Sequence, residues 1–311
     1  MSRILCIIDG MTDPGFSAAD FPNLASMLYA GEIDTAKGGK VESLNCILHL
    51  LGVEQFPQNL RGYVEALAEG IPVKANDLIL RGSWLAVDQL GNCGGPVRGA
   101  ARIAVPEEKY QYYLIDQYKA LLIFPGMASY VDKIVTYPPY GNTERKALSY
   151  RPKGCPDAEK CFDTWLQENR CLVPWGESVC SALPPFPEKS AVISGTSVVK
   201  GIAKLLQMEY IPVKGATGDT DTDLPAKAAA ALEAARHYPF VVLHINGADE
   251  AAHRHSESEK RQFLLKIDSI VLPSLIHSGH EIMVVGDHGT DPQTGLHIGK
   301  KQPYFINYKE T

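Results

Sequence analysis

The chain has 311 residues, with 30 lysines and arginines against 36 aspartates and glutamates, so its formal charge is −6 with histidine neutral. That mild acidity supplies no basic footprint for nucleic acid, and the absence of an apolar run of about 18 residues argues against a membrane-spanning helix. At 45% apolar residues the chain can bury a large core, and at roughly 150 residues per domain its length implies about two domains. Seven cysteines (Cys6, Cys46, Cys93, Cys155, Cys161, Cys171, Cys180) are scattered and form no CxxC pair, which indicates neither a disulfide framework nor a zinc knuckle. The opening MSRILCIIDG has too short an apolar run for a signal peptide, so a reduced, soluble, cytoplasmic protein is expected.

In chain order, Arg3 to Ile8 reads as a buried strand of a parallel sheet, ending in Asp9-Gly10. Phe21 to Ala30 has helical spacing and stops at Gly31. Ser43 to Gly52 reads as a short buried helix with Ser43 at its N-terminus. The middle differs in texture. Leu78 to Asp88 alternates like a strand, Gly91 to Gly99 is a glycine-rich turn, and Pro106 to Tyr118 reads as a polar helix. Leu121 to Phe124 and Val131 to Thr136 are expected strands, and Asp157 to Asn169 a polar helix.

From Ala191 strands and helices alternate. The expected strands are Ala191 to Ser194, Phe240 to Ile245, Glu281 to Val285 and Tyr304 to Tyr308. The expected helices are Ser197 to Gln207, Asp223 to His237 and Ser258 to His277. This alternation implies a mostly parallel sheet with helices on both faces. The middle reads as a domain inserted into that core, with the core at 1–57 and 181–311 and the insertion at 58–180.

Three expected strands end in acidic or histidine residues: Asp9, Asp249, and Asp287 with His288. Ligands bind at the carboxyl ends of parallel strands, so these residues should converge on one edge. Asp249 and His253 are four apart and share a helix face. His297 follows on an expected loop. Singly, each has an ordinary reading as a cap, turn or surface residue. Together they offer three carboxylates and three imidazoles beside Ser43, a set suited to two divalent ions and a nucleophile. Direct coordination would activate the serine without a neighbouring base.

The sequence resembles the cofactor-independent phosphoglycerate mutases of the archaeal type, in the alkaline phosphatase superfamily. The likeness rests on KGATGDTDTD from Lys214 to Asp223 with Lys227 after it, on ADEAAH from Ala248 to His253, on Gly286-Asp287-His288, and on His297 followed by Pro303. IIDG, SLNCILHLLG, Arg61 to Leu67, Leu80 to Asp88 with Arg98, and Pro174-Trp175-Gly176 look like further family segments. The resemblance implies an alkaline-phosphatase-like core with a smaller inserted α+β cap that closes over the substrate. It assigns one ion to Asp249, His253 and His297, and the other to Asp9, Ser43, Asp287 and His288. The ions would be manganese, with zinc or magnesium as alternatives.

Ser43 would be the phosphorylated nucleophile. Arg61, Arg81, Arg98 and Lys200 would grip a small phosphorylated metabolite. The implied reaction is interconversion of 2- and 3-phosphoglycerate, an isomerase step of glycolysis. A phosphatase, a phosphotransferase on another small alcohol such as homoserine, and a non-catalytic relative stay open. Leu44 stands where the family has an acidic residue, Gly62-Tyr63 replaces Gly-Pro, and Met127 to Lys133 replaces a basic, aromatic stretch.

Overall fold

The computed structural model describes residues 1–97, 109–115, 117–139, 145–299 and 301–307. The chain divides into two compact units, residues 1–56 with 183–311 and residues 57–182. In chain order the elements are β1 (Arg3–Ile8), α1 (Pro22–Ala25), β2 (Tyr29–Ile33), α2 (Ser43–Leu50), α3 (Arg61–Glu69), β3 (Leu78–Val87), β4 (Cys93–Pro96), β5 (Gln111–Leu114), β6 (Lys119–Phe124), α4 (Pro156–Trp165), β7 (Arg170–Ser178), β8 (Ser190–Ile193), α5 (Ser197–Leu205), β9 (Glu209–Tyr210), α6 (Leu224–Ala234), β10 (Phe240–Ile245), α7 (Gly247–His253), α8 (Glu257–Lys266), α9 (Leu272–Ile276), β11 (Glu281–Val285), β12 (Gly289–Asp291), β13 (Leu296–Ile298) and β14 (Gln302–Asn307). Among the described residues, no helix is long and apolar enough to cross a membrane.

The first unit is built on a seven-stranded sheet in the order β2-β14-β11-β1-β10-β8-β9. β1 lies between β10 and β11 and runs parallel to both. β8 and β9 extend the parallel run, while β14 and β2 close the other edge antiparallel. Ile4 to Ile8 show no alternation because both faces of a central parallel strand are covered, and all five side chains are buried. Each such side chain removed from water contributes about 1.5–3 kcal/mol before entropy is counted. Leu224, Ala228 and Ala231 of α6, with Phe263 of α8 and Leu272 of α9, pack against Ile4, Cys6 and Ile8 on one face.

The expected helix from Ser258 to His277 is one helical segment with a widened turn. α8 passes through a π turn at Ile267–Val271 into α9. Pro273 has no N–H, and its ring would clash with the carbonyl four residues back, so the ladder opens there. The π turn carries the buried Asp268. Its carboxylate accepts from the backbone N–H groups of Asn23 at 3.2 Å and Leu24 at 2.8 Å, which satisfies the open start of α1.

Several expectations need correction. Phe21 to Ala30 is not one helix: only Pro22–Ala25 is helical, and Tyr29–Ile33 pairs with β14 as an edge strand. Gly31 permits that pairing, since a Cβ there would stand 2.6 Å from the Tyr304 hydroxyl oxygen. Within Pro106 to Tyr118, residues 106–108 and 116 lie outside the described residues. Gln111–Leu114 form a strand paired with β6, as the β-favouring tyrosines suit. Val131 to Thr136 is not a strand and makes only a single bridge, Val135 to Lys153. The expected Gly91–Gly99 turn contains β4, with Gly99 outside the described residues. The last strand spans Gln302–Asn307, and Tyr308 is outside the described residues. His297 stands on β13, not on a loop.

The second unit is an antiparallel sheet in the order β4-β3-β6-β5, with β7 also paired to β3. Its core is aromatic, with Trp84, Phe124, Phe162 and Trp165 fully buried. The three indole N–H groups all find acceptors. Trp84 donates to Tyr112 Oη at 3.0 Å, Trp165 to Tyr110 Oη at 2.7 Å, and Trp175 to Ser83 Oγ at 3.1 Å.

Candidate metal centre

The register of β1 with β10 and β11 brings three strand ends side by side at the carboxyl edge. Asp9 follows β1, Asp249 lies on α7 after β10, and Asp287 with His288 follows β11. Gly10 lets α7 come in: its φ is +66°, and a Cβ there would stand 2.7 Å from the Asp249 Cα. The β12–β13 hairpin sets His297 opposite Thr290. Ser43 is the first residue of α2.

These side chains meet. The donor atoms of Asp249, His253 and His297 lie within 4.8 Å of one another, and so do those of Asp9, Asp249 and His288. His253 Nε2 is 3.2 Å from Asp249 Oδ2 and 3.2 Å from His297 Nε2. His288 Nε2 is 3.4 Å from Asp9 Oδ1, 3.5 Å from Asp287 Oδ2 and 3.3 Å from Ser43 Oγ. Asp249 therefore stands in both groups, whereas the resemblance assigned it to one.

The three imidazoles share an orientation. Nδ1 of His253, His288 and His297 lies 3.0, 3.2 and 2.8 Å from the carbonyls of Gly295, Gly289 and Val41. A carbonyl only accepts, so each Nδ1 carries the proton and each Nε2 is left for the cluster. Ring orientation by a backbone carbonyl is the usual support of a metal-binding histidine.

The carboxylates crowd one another. Burial, then the charges of Asp287, Asp249 and Glu250, push Asp9 well above the ordinary carboxylate range. Burial and Asp249 push Asp287 up to about 7. Burial also acts on Asp249, but the His253 partner outweighs it and holds that carboxyl down. His253 is raised to about 9 by Asp249 against the effect of burial. Burial lowers His288, and burial with the neighbouring His288 lowers His297 to about 4. Asp9 Oδ1 and Asp287 Oδ2 are buried with no hydrogen-bond partner among the described residues. Two orphaned carboxylate oxygens beside inward-facing imidazole nitrogens fit divalent cations of the manganese or zinc type.

The other expected site residues are Lys200, Arg61, Arg81 and Arg98. Lys200 lies on α5 with Nζ 5.8 Å from the centre of the Tyr210 ring. Arg61 and Arg81 belong to the second unit, and Arg98 lies outside the described residues. There, Glu65 takes Arg61 Nε at 2.8 Å and Arg81 Nε at 2.8 Å, and both guanidinium groups lie over Trp175.

Sequence reasoning missed the supporting residues. Thr290 Oγ1 donates to Asp249 Oδ1 at 2.6 Å, and Thr35 Oγ1 donates to the Asp287 carbonyl. Lys260 Nζ, buried, donates to the carbonyls of Thr12 at 2.9 Å and Thr290 at 2.7 Å, joining the chain after β1 to β12. Arg254 forks onto both oxygens of Asp219 at 2.9 and 2.7 Å, which ties the KGATGDTDTD segment to the end of α7. His244 Nε2 lies 3.2 Å from Asp9 Oδ2, and burial lowers this imidazole to about 3. The one available signal for it was a lone histidine in the apolar run FVVLHI.

Residues 186–310 match the Metalloenzyme superfamily. The 2,3-bisphosphoglycerate-independent phosphoglycerate mutase of Methanococcus aeolicus is 29% identical over 98% of this chain and 88% of its own length. Its counterpart from Methanoculleus marisnigri is 34% identical over 49% of this chain and 38% of its own length. Among solved structures, the PH0037 protein from Pyrococcus horikoshii shares the fold with a TM-score of 0.70 at 20% identity, over 98% of this chain and 87% of that one. The cofactor-independent phosphoglycerate mutase from Thermoplasma acidophilum gives a TM-score of 0.52 at 19% identity, over 98% and 89%. Residues 186–310 thus match the Metalloenzyme superfamily, and along nearly its whole length the chain is similar to archaeal 2,3-bisphosphoglycerate-independent phosphoglycerate mutases.

Proposed function

We propose that this chain is a metal-dependent phosphoryl-transfer enzyme that interconverts 2- and 3-phosphoglycerate through a phosphorylated Ser43. The observation that carries the reading is the convergence of three Nε2 atoms and three carboxylates, two of them with orphaned oxygens, beside the Ser43 hydroxyl. Asp249, His253 and His297 would hold one divalent ion, and Asp9, Ser43, Asp287 and His288 the other, with manganese the expected metal. When bound, such ions neutralise phosphoryl oxygens and lower the proton affinity of a serine hydroxyl.

Ser43 Oγ gives up its proton and forms the bond to phosphorus as the ester bond to the substrate alcohol breaks, and the departing alkoxide takes up a proton. The first-turn N–H groups of α2 favour the new phosphoester. The other hydroxyl of the released glycerate then attacks phospho-Ser43 and gives up its proton as the Ser43 O–P bond breaks and Ser43 Oγ regains one, so no proton is gained or lost overall. Arg61, Arg81, Arg98 and Lys200 would hold the phosphate and carboxylate of the substrate, a small phosphorylated metabolite like that named for the relatives.

The test follows 3-phosphoglycerate by phosphorus NMR after manganese loading. The expected result is a 2-phosphoglycerate resonance with no inorganic phosphate. Phosphate release alone would make the chain a phosphatase, and a metal-loaded chain without turnover would make it a binding protein.

A further inference from the structure

We infer that His244 is a positioning residue for Asp9: its imidazole holds one oxygen of that carboxylate and leaves the other, Oδ1, turned into the cluster. The inference rests on the metal-dependent reading above and deepens it by naming what orients one ligand. His244 is fully buried on β10, between Leu243 and Ile245, which are also fully buried. A polar ring in such a strand is costly to bury unless both nitrogens are bonded. Here both are. Nε2 is 3.2 Å from Asp9 Oδ2, and Nδ1 is 3.1 Å from Ser194 Oγ.

The direction of these bonds follows from the groups at the two ends. As a cation ligand Asp9 is ionised and only accepts, so Nε2 carries the imidazole proton. Nδ1 then accepts, and the Ser194 hydroxyl is its donor. That hydroxyl oxygen in turn accepts from the Thr196 N–H at 3.1 Å. Tyr210 Oη donates to the Ser194 carbonyl at 2.7 Å and steadies the residue. The bonds therefore run one way, from Thr196 through Ser194 and His244 to Asp9. His253, His288 and His297 differ, because each gives Nδ1 to a backbone carbonyl and keeps Nε2 for the cluster. His244 uses both nitrogens on side chains, so it stands behind a ligand and is not one itself. With Oδ2 occupied, Asp9 presents Oδ1, the oxygen with no hydrogen-bond partner among the described residues.

The experiment titrates manganese calorimetrically into chelator-stripped wild type, His244→Leu, His244→Gln and Ser194→Ala, with the thermal unfolding of each metal-free protein recorded alongside. Wild type is expected to take up two ions. His244→Leu should weaken one of them by about 10–100-fold and leave the other unchanged. His244→Gln keeps an N–H that can reach Asp9 and should recover most of the loss. Ser194→Ala frees the tautomer and should weaken the same ion to a smaller degree; if His244→Leu does not fold, this variant decides. Unchanged affinity in Ser194→Ala and in a folded His244→Leu overturns the inference, as does an equal loss in the leucine and glutamine variants. A wild type that takes up no ions overturns the metal-dependent reading and the inference with it.

Discussion

Gly10 faces Asp249 so closely that a Cβ on residue 10 would stand 2.7 Å from the Asp249 Cα and 2.8 Å from its Cβ. The obstacle is helix backbone, which cannot swing aside as the end of a side chain can. The φ of +66° adds strain for any other residue. Gly10→Ala is expected to destabilise the metal-free chain by about 1–3 kcal/mol and to displace α7 with Asp249 and His253. Urea unfolding checks the first effect and manganese affinity the second. An unchanged midpoint would mean that α7 can retreat without cost.

Lys227 is fully buried on α6, and its Nζ has no hydrogen-bond partner among the described residues. Burial lowers its ammonium from the ordinary 10.5 to about 8, with a smaller opposing effect from Cys6. Between about 8 and 10.5 the unfolded chain binds the extra proton, so this lysine makes stability rise with pH across that window. Below about 8 the penalty for burying the charge is fully present, on the order of 3 kcal/mol. Lys227→Met should therefore raise stability at pH 7 and abolish the alkaline rise. Denaturant midpoints across pH 7 to 10.5 read both. A variant less stable at pH 7 would show that the amine has a stabilising partner.

Much of the candidate centre was legible because its carboxylates follow apolar runs. Ile4 to Ile8 before Asp9, and the β11 run before Asp287, leave one reading for the strand and therefore for its end. The four-residue spacing of Asp249 and His253 was legible for the same kind of reason, since one helix turn brings them to 3.2 Å. His244 was hidden because an apolar strand tolerates one polar residue without changing its period, and its partner Asp9 is 235 residues away. β12 and β13 are three residues each, too short to show alternation, so His297 read as a loop residue. β2 failed for a different reason: Phe21, Leu24 and Met27 are all buried at helical spacing, yet pairing with β14 takes over the residues after them.

In the second unit, one carboxylate serves two cations. Glu65 lies 2.8 Å from both Arg61 and Arg81, and it and Arg81 are buried. Burial would raise the Glu65 carboxyl, but Arg81 and then Arg61 outweigh it and hold it low. Glu65→Ala leaves the Arg81 guanidinium buried without this anion and should cost about 3–5 kcal/mol. Denaturant unfolding followed by tryptophan fluorescence measures it, since Trp175 lies beneath both guanidinium groups. A loss under about 1 kcal/mol would mean that Arg81 finds another anion.

The most direct measurement is mass mapping of the chain trapped during turnover with manganese and 3-phosphoglycerate, run in parallel on Ser43→Ala. The account predicts one phosphoryl group on the peptide carrying Ser43 in wild type. It predicts none in Ser43→Ala, which should lose turnover while still taking up manganese through the remaining carboxylates and imidazoles. A Ser43→Ala chain that turns over at the wild-type rate, or a phosphoryl group found on another residue, would contradict it.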